Sequence, residues 1–207
     1  MPAEVPVEQE PASATDRSQE PAPTADRILD AAFAAMAAHG LHRLSLEDVA
    51  REAGLSRQTV YRYFGSKDAL VTAAILREEA VLLEHMAQAI ASHDDLRPAM
   101  EAAIVVGLRA AREHPVLDRL LATEPEALLP FLTTGGGPVL SAARPVIEDL
   151  LEQRLPHVAK PTLHRVADAT TRLFISYAIN PPDDEIEDVA AGLVDLILHG
   201  LKTEEHA

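Results

Sequence analysis

Between Ser45 and Leu70 the sequence reads SLEDVAREAGLSRQTVYRYFGSKDAL, and the glycine at position 54 decides what this stretch can become. Leu46, Val49, Ala50 and Ala53 recur at three- and four-residue spacing, which places one apolar stripe on a short helix that Ser45 caps from outside its first turn. Gly54 ends that helix, because glycine reaches the left-handed conformation after a helix without steric cost. Only Leu55 separates it from a second capping residue, Ser56, so a new helix starts almost at once. In the second helix Val60 and Phe64 share a face, while Gln58, Tyr61 and Arg62 point away from it, flanked by Arg57 and Thr59. Two short helices joined by a tight glycine-containing turn form the helix-turn-helix unit, whose second helix enters the DNA major groove by its N-terminal end.

The run Leu55-Ser56-Arg57-Gln58-Thr59-Val60-Tyr61-Arg62-Tyr63-Phe64, followed by Ser66-Lys67-Asp68-Ala69-Leu70, resembles the DNA-binding signature of the TetR family of one-component transcription regulators. The resemblance extends upstream through Ile28-Leu29-Asp30-Ala31-Ala32, Phe33 and Gly40 to Ser45-Leu46-Glu47-Asp48-Val49-Ala50, covering about fifty residues. A small residue is common in the family where this chain has Gln58, a departure that bears on which bases are read. The resemblance implies that Gln58, Thr59 and Tyr61 contact bases and that Ser45, Tyr63 and Lys67 hold the DNA backbone. Arg57 and Arg62 are free to do either, and Ser56 joins this face as the cap of the reading helix. Beyond residue 70 the similarity is one of helical organisation.

A net charge of −15 speaks against a nucleic-acid partner until it is divided along the chain. Residues 1–23 carry −4 and residues 71–207 carry −11, whereas residues 24–70 are neutral. Between Arg51 and Lys67 four basic residues oppose only Glu52, leaving +3 where phosphate has to be met. Three of the seven aromatics, Tyr61, Tyr63 and Phe64, also fall in this segment. No cysteine is present, which excludes disulfides and thiolate metal sites, and no apolar run is long enough to span a bilayer. The first residues lack the basic and apolar regions of a secretion signal, so a cytoplasmic location is expected.

In chain order, residues 1–23 are rich in Pro, Glu, Ala and Ser and are expected to be a disordered tail. Residues 24–70 form the expected DNA-binding domain, opening with a bracing helix that Thr24 caps and that ends before Gly40. Residues 71–207 form the expected ligand-binding and dimerisation domain. It is entered along a fourth helix capped by Ser66 and running to about Ser92. Pro98 suits the first turn of the next helix, Pro115, Pro125 and Pro130 punctuate two short ones, and Pro145 is expected to kink the helix that follows the Gly135-Gly136-Gly137 loop.

The last two helices carry the apolar stripes Leu163, Val166, Thr170, Phe174, Tyr177 and Ile186, Val189, Leu193, Ile197, with a further edge from Val194 and Leu198. Edges on two sides exceed what one core needs, and these helices look like the pair that builds the family's dimer as a four-helix bundle. Both faces would otherwise sit inside a single subunit's bundle. Other chemistry finds no support. The nine histidines show no HExxH spacing, the triple glycine lacks the lysine and hydroxyl residue of a phosphate loop, and no nucleophile elbow surrounds Ser141. No catalytic residue, metal ligand or cofactor is expected. The acidic group Asp183-Asp184-Glu185 with Glu187 and Asp188 is placed to cap a helix dipole. The sequence therefore describes an all-α chain with an N-terminal three-helix DNA-binding head and a C-terminal helical bundle. The expected function is a homodimeric regulator, released from a palindromic double-stranded operator by a small molecule. Leu108, Leu120, Leu128 and Phe131 are candidate pocket walls, with Arg109 or Arg112 as polar anchor. The alternative is a helical scaffold for a protein partner in which the helix-turn-helix is vestigial.

Overall fold

Three serines set where the helices of the N-terminal region begin. Ser45, Ser56 and Ser66 each sit in extended backbone, and each side-chain oxygen accepts a hydrogen bond at 3.1 Å from the N–H three residues on, from Asp48, Thr59 and Ala69. They open α2 (Leu46–Glu52), α3 (Arg57–Phe64) and α4 (Lys67–Ala91). Ahead of them lies α1 (Thr24–Arg43), and after them come α5 (Leu96–Glu113), α6 (Pro115–Thr123), α7 (Pro125–Leu132), α8 (Pro138–Arg154), α9 (Lys160–Ile179) and α10 (Ile186–Lys202). The computed structural model describes residues 23–132 and 137–202, and those residues contain no strand. The expected tail, apart from Pro23, and Gly135 and Gly136 of the loop lie outside the described residues.

The turn between α2 and α3 is closed by Gly54 at φ 65°, with Leu55 N–H donating to Ala50 O at 2.8 Å, so the last carbonyls of α2 are satisfied as the chain reverses. α1 differs from expectation at its start: Pro23 occupies the capping position and makes no side-chain cap, and Thr24 is already the first helical residue. At its end the helical backbone breaks at Gly40, as the sequence implies, and one further turn carries the chain through Leu41 to Arg43. Proline opens α6, α7 and α8, where the missing N–H removes no hydrogen bond, and α8 runs on past Pro145.

The largest apolar core joins the head to part of the body. Ile28, Met36, Val49, Val60, Leu70 and Ala74 pack together, and Val116, Leu120 and Leu128 from α6 and α7 belong to the same cluster. The core therefore crosses residue 70 without interruption. A second cluster holds α10 on α5 through Ile104, Leu108, Val189, Ala190, Leu193 and Val194, and a third holds α9 on α8 through Leu151, Leu163 and Ala167. At Gly107 a Cβ would stand 2.7 Å from the Phe174 ring and 2.9 Å from Met86 Sδ, so α5 meets α9 and α4 closely there because it has no side chain.

Candidate nucleic-acid interface

Burial of Val60, which is 0% exposed, fixes the roll of α3, and everything on the opposite side follows from helical spacing. Gln58, Tyr61, Arg62 and Tyr63 are exposed, with Tyr61 at 60%. The Arg62 guanidinium lies 5.9 Å from the Tyr63 ring centroid, and Arg57 Nε meets Glu47 Oε1 at 2.9 Å, a contact that braces α3 against α2. Ser56 and Thr59 share a hydrogen bond between their hydroxyls at 2.8 Å at the leading end of α3. Ser45 caps α2 and also donates to Asp48 Oδ2 at 2.6 Å, which together with Arg51 holds the Asp48 carboxyl below the usual carboxylate range. Lys67, the first residue of α4, donates from Nζ to the His42 carbonyl at 3.3 Å. Seven of the nine expected residues therefore lie on α3 or at its cap, and Ser45 and Lys67 stand at the starts of α2 and α4.

Behind this face, a polar corner connects the head to the body. Glu124, between α6 and α7, accepts from the His42 N–H at 2.9 Å, and its side chain occupies the space above Gly40. His42 Nε2 lies 3.5 Å from Glu126 Oε1, and Arg77 of α4 reaches Asp30 at 2.8 Å and the Asp26 carbonyl at 3.2 Å on α1. Such pairs near the surface contribute little stability individually, about 0–1 kcal/mol, but they join α1, α4 and the α6–α7 corner.

Next to this corner lies an apolar cavity of about 330 Å³, walled by residues of α1, α4, α5, α6, α7, α8 and α9. Of the pocket residues expected from the sequence, Leu120 and Leu128 line it. Leu108 fills the α5–α10 cluster instead, and Phe131 packs against the main core from α7. Arg109 is exposed and pairs with Glu187 Oε1 at 2.9 Å, and Arg112 is exposed as well, so neither arginine lines the cavity. The polar walls come from elsewhere. Glu79 of α4 has both carboxylate oxygens buried without a hydrogen-bond partner, and burial pushes its pKa up to about 8. His114 is held edge-on to Phe33 with ring centroids 5.5 Å apart, its Nδ1 accepts from Leu117 N–H at 3.0 Å, and burial lowers its pKa. In the sequence Glu79 directly follows Glu78, and nothing local marks it as buried.

The residues expected at the dimer interface largely serve the subunit's own core. Leu163, Val189, Leu193, Val194 and Ile197 are buried, with Val194 at 0% exposure. Val166, Phe174, Tyr177, Ile186 and Leu198 are half-buried against the same clusters, and the Thr170 hydroxyl oxygen is buried without a hydrogen-bond partner. The outward side of α10 shows a different strip. Leu196 is 61% exposed, and a Cβ at Gly192 or Gly200 would meet nothing within 4 Å. Among the described residues no helix is long and apolar enough to cross a membrane, and no three His, Cys, Asp or Glu side chains gather to hold a metal.

A capped two-helix unit with an exposed polar and aromatic reading face, carried on a helical body, defines a helix-turn-helix DNA-binding regulator. Residues 28–74 match the family model described as "Bacterial regulatory proteins, tetR family", and residues 95–198 match "Bacterial Tetracyclin repressor, C-terminal domain". The chain belongs to the TetR family of transcriptional regulators. Among its relatives, the HTH-type transcriptional regulator AlkX of Mycobacterium tuberculosis is 29% identical over 177 residues, 83% of this chain and 82% of that protein. The Escherichia coli K12 regulator RutR is 35% identical over 107 residues, covering 51% of this chain and 49% of its own. In three dimensions the fold is similar to the TetR family repressor AlkX from Dietzia sp., a protein implicated in n-alkane biodegradation, with a TM-score of 0.70 and 29% identity over 86% of this chain and 97% of that one.

Proposed function

We propose that the protein is a cytoplasmic homodimeric repressor that reads a palindromic operator with α3 of each subunit and leaves it when a small molecule fills the cavity. The reading rests above all on the exposed face of α3, where Gln58, Thr59 and Tyr61 stand ready for base edges and Arg57, Arg62, Ser45, Ser56, Tyr63 and Lys67 surround them for the phosphates. Residues 24–70 act as the DNA-binding domain, and residues 71–207 supply effector binding and dimerisation. α9 and α10 supply the partner contact, with Leu196 flanked by Gly192 and Gly200 as its centre, because an exposed leucine between two side-chain-free positions lets a second helix approach closely. Enzymatic activity has no part in this reading.

The position of the cavity supports the coupling. Its walls include Phe33 and Met36 of α1 as well as Leu117, Leu120 and Leu128 of α6 and α7, so a ligand that spreads these helices also shifts the Glu124–His42 corner and the seat of α2 and α3. The test is capture of genomic DNA fragments by the protein and by a Tyr61→Ala variant. Wild-type protein is expected to retain a discrete set of fragments, and Tyr61→Ala to lose them while melting at the same temperature. Retention of the same fragments by the variant would remove α3 from the reading role.

A further inference from the structure

The cavity is almost wholly apolar, yet α4 sends a carboxyl group into its wall. Glu79 shares its face of α4 with Ile75 and Leu82, both also wall residues, and both of its oxygens are buried and accept no hydrogen bond. Burying an acceptor without a donor costs free energy that an apolar side chain of similar size would not, so the group is out of place in a purely structural wall. The other titratable groups of the lining are Glu78, His85 and His114, and the walls from α1, α6, α7, α8 and α9 contribute none. Glu78 is engaged by Arg77 at 3.4 Å and stands 4.0 Å from His114 Nε2, His85 is exposed, and burial favours the neutral form of His114. The lining therefore holds two carboxyl groups and no lysine or arginine.

Accepting that this cavity is the effector site, we propose that the effector is an apolar molecule carrying one protonated nitrogen, which sits against the Glu79 carboxyl group while the carbon skeleton fills the rest. A cation here gains a charge-assisted hydrogen bond to a carboxyl group whose oxygens are buried, where such a bond is stronger than in water. A carboxylate-bearing ligand finds no lysine or arginine to pair with, only a hydrogen bond from the protonated Glu79. A neutral alcohol can hydrogen-bond but gains no charge pairing. The proton balance is explicit. Glu79 gives its proton to solvent as the ammonium arrives, so the protonated carboxyl and the ammonium become a carboxylate–ammonium pair plus one released proton.

The experiment compares octylamine, octanol and octanoate, equal in chain length, by calorimetric titration of the full chain at neutral pH in two buffers of different ionisation enthalpy. Octylamine is expected to bind roughly tenfold or more tighter than octanoate and to release close to one proton per molecule. Glu79→Gln, with helical content checked by circular dichroism, is expected to abolish the proton release and weaken octylamine by about tenfold while leaving octanol unchanged. Octylamine binding without proton release, or undiminished in Glu79→Gln, overturns the proposal. If octanol binds, and Leu117→Trp blocks it, but the amine shows no advantage, the cavity remains an effector site and the charged nitrogen is wrong. If none of the three binds, the cavity reading falls with it.

Discussion

Replacing Gly40, which is buried at the end of α1, by alanine is expected to destabilise the protein by far more than the addition of one methyl group suggests. Gly40 adopts φ 80° and ψ 177°, a region open essentially to glycine, and holding another residue there costs about 1–3 kcal/mol. The new Cβ would also lie 2.1 Å from Glu124 Oε1, so the carboxylate has to move and gives up its 2.9 Å hydrogen bond from the His42 N–H, a further loss of about 1 kcal/mol. Together these give about 2–4 kcal/mol, which at an m-value of about 2 kcal/mol/M lowers the urea midpoint by about 1–2 M. Urea unfolding followed by far-UV circular dichroism reads this directly. A cycle with Glu124→Ala separates the parts, since the backbone strain persists when the glutamate is gone and the clash does not. A loss below about 0.5 kcal/mol for Gly40→Ala would refute the reasoning, because it would mean the backbone at this corner relaxes freely.

Three further outcomes are expected. Leu196→Glu should convert the proposed dimer to a monomer in sedimentation with its helical content intact, whereas a glutamate in place of Leu198, which packs against the α5–α10 cluster, should also lower the melting temperature. Lys67→Ala should weaken binding to all DNA sequences alike and reduce the salt slope by about 0.9, the mark of one lost phosphate contact in a titration over salt concentration. Glu79 stays protonated in the folded state up to about pH 8 but ionises near 4.5 when unfolded, so it makes the native state progressively less stable as pH rises through that window. Glu79→Gln should remove that slope, with a stabilisation relative to wild type that is larger at pH 8 than at pH 5 in denaturant melts.

The reading head was legible because its determinants are local. Ser45, Ser56 and Ser66 cap the next N–H groups, Gly54 reverses the chain, and Val60 sets which way Tyr61 and Arg62 point, all within a few residues of one another. Helix positions in the body followed equally from prolines and apolar spacing. What faces what did not. Val194 and Leu198 look like a spare edge of α10 until α5 is seen to cover them, and the side left open, Leu196, lies between two glycines that add nothing to an apolar stripe. Glu79 shows the same limit in reverse. Its place in the cavity wall depends on α5, α6 and α9 supplying the other walls, segments up to about a hundred residues away that no window of sequence displays. Arg109 and Arg112 fail as pocket anchors for the same reason, since α5 turns them outward.

Selection of bound sequences from a random duplex pool tests the central claim most directly. A dimer presenting two copies of α3 should enrich an inverted repeat whose half-sites lie in successive major grooves on one side of the duplex, about 34–36 Å or a multiple apart, and Tyr61→Ala should enrich none. Enrichment of a single asymmetric site, or the same inverted repeat recovered by Tyr61→Ala, would contradict it.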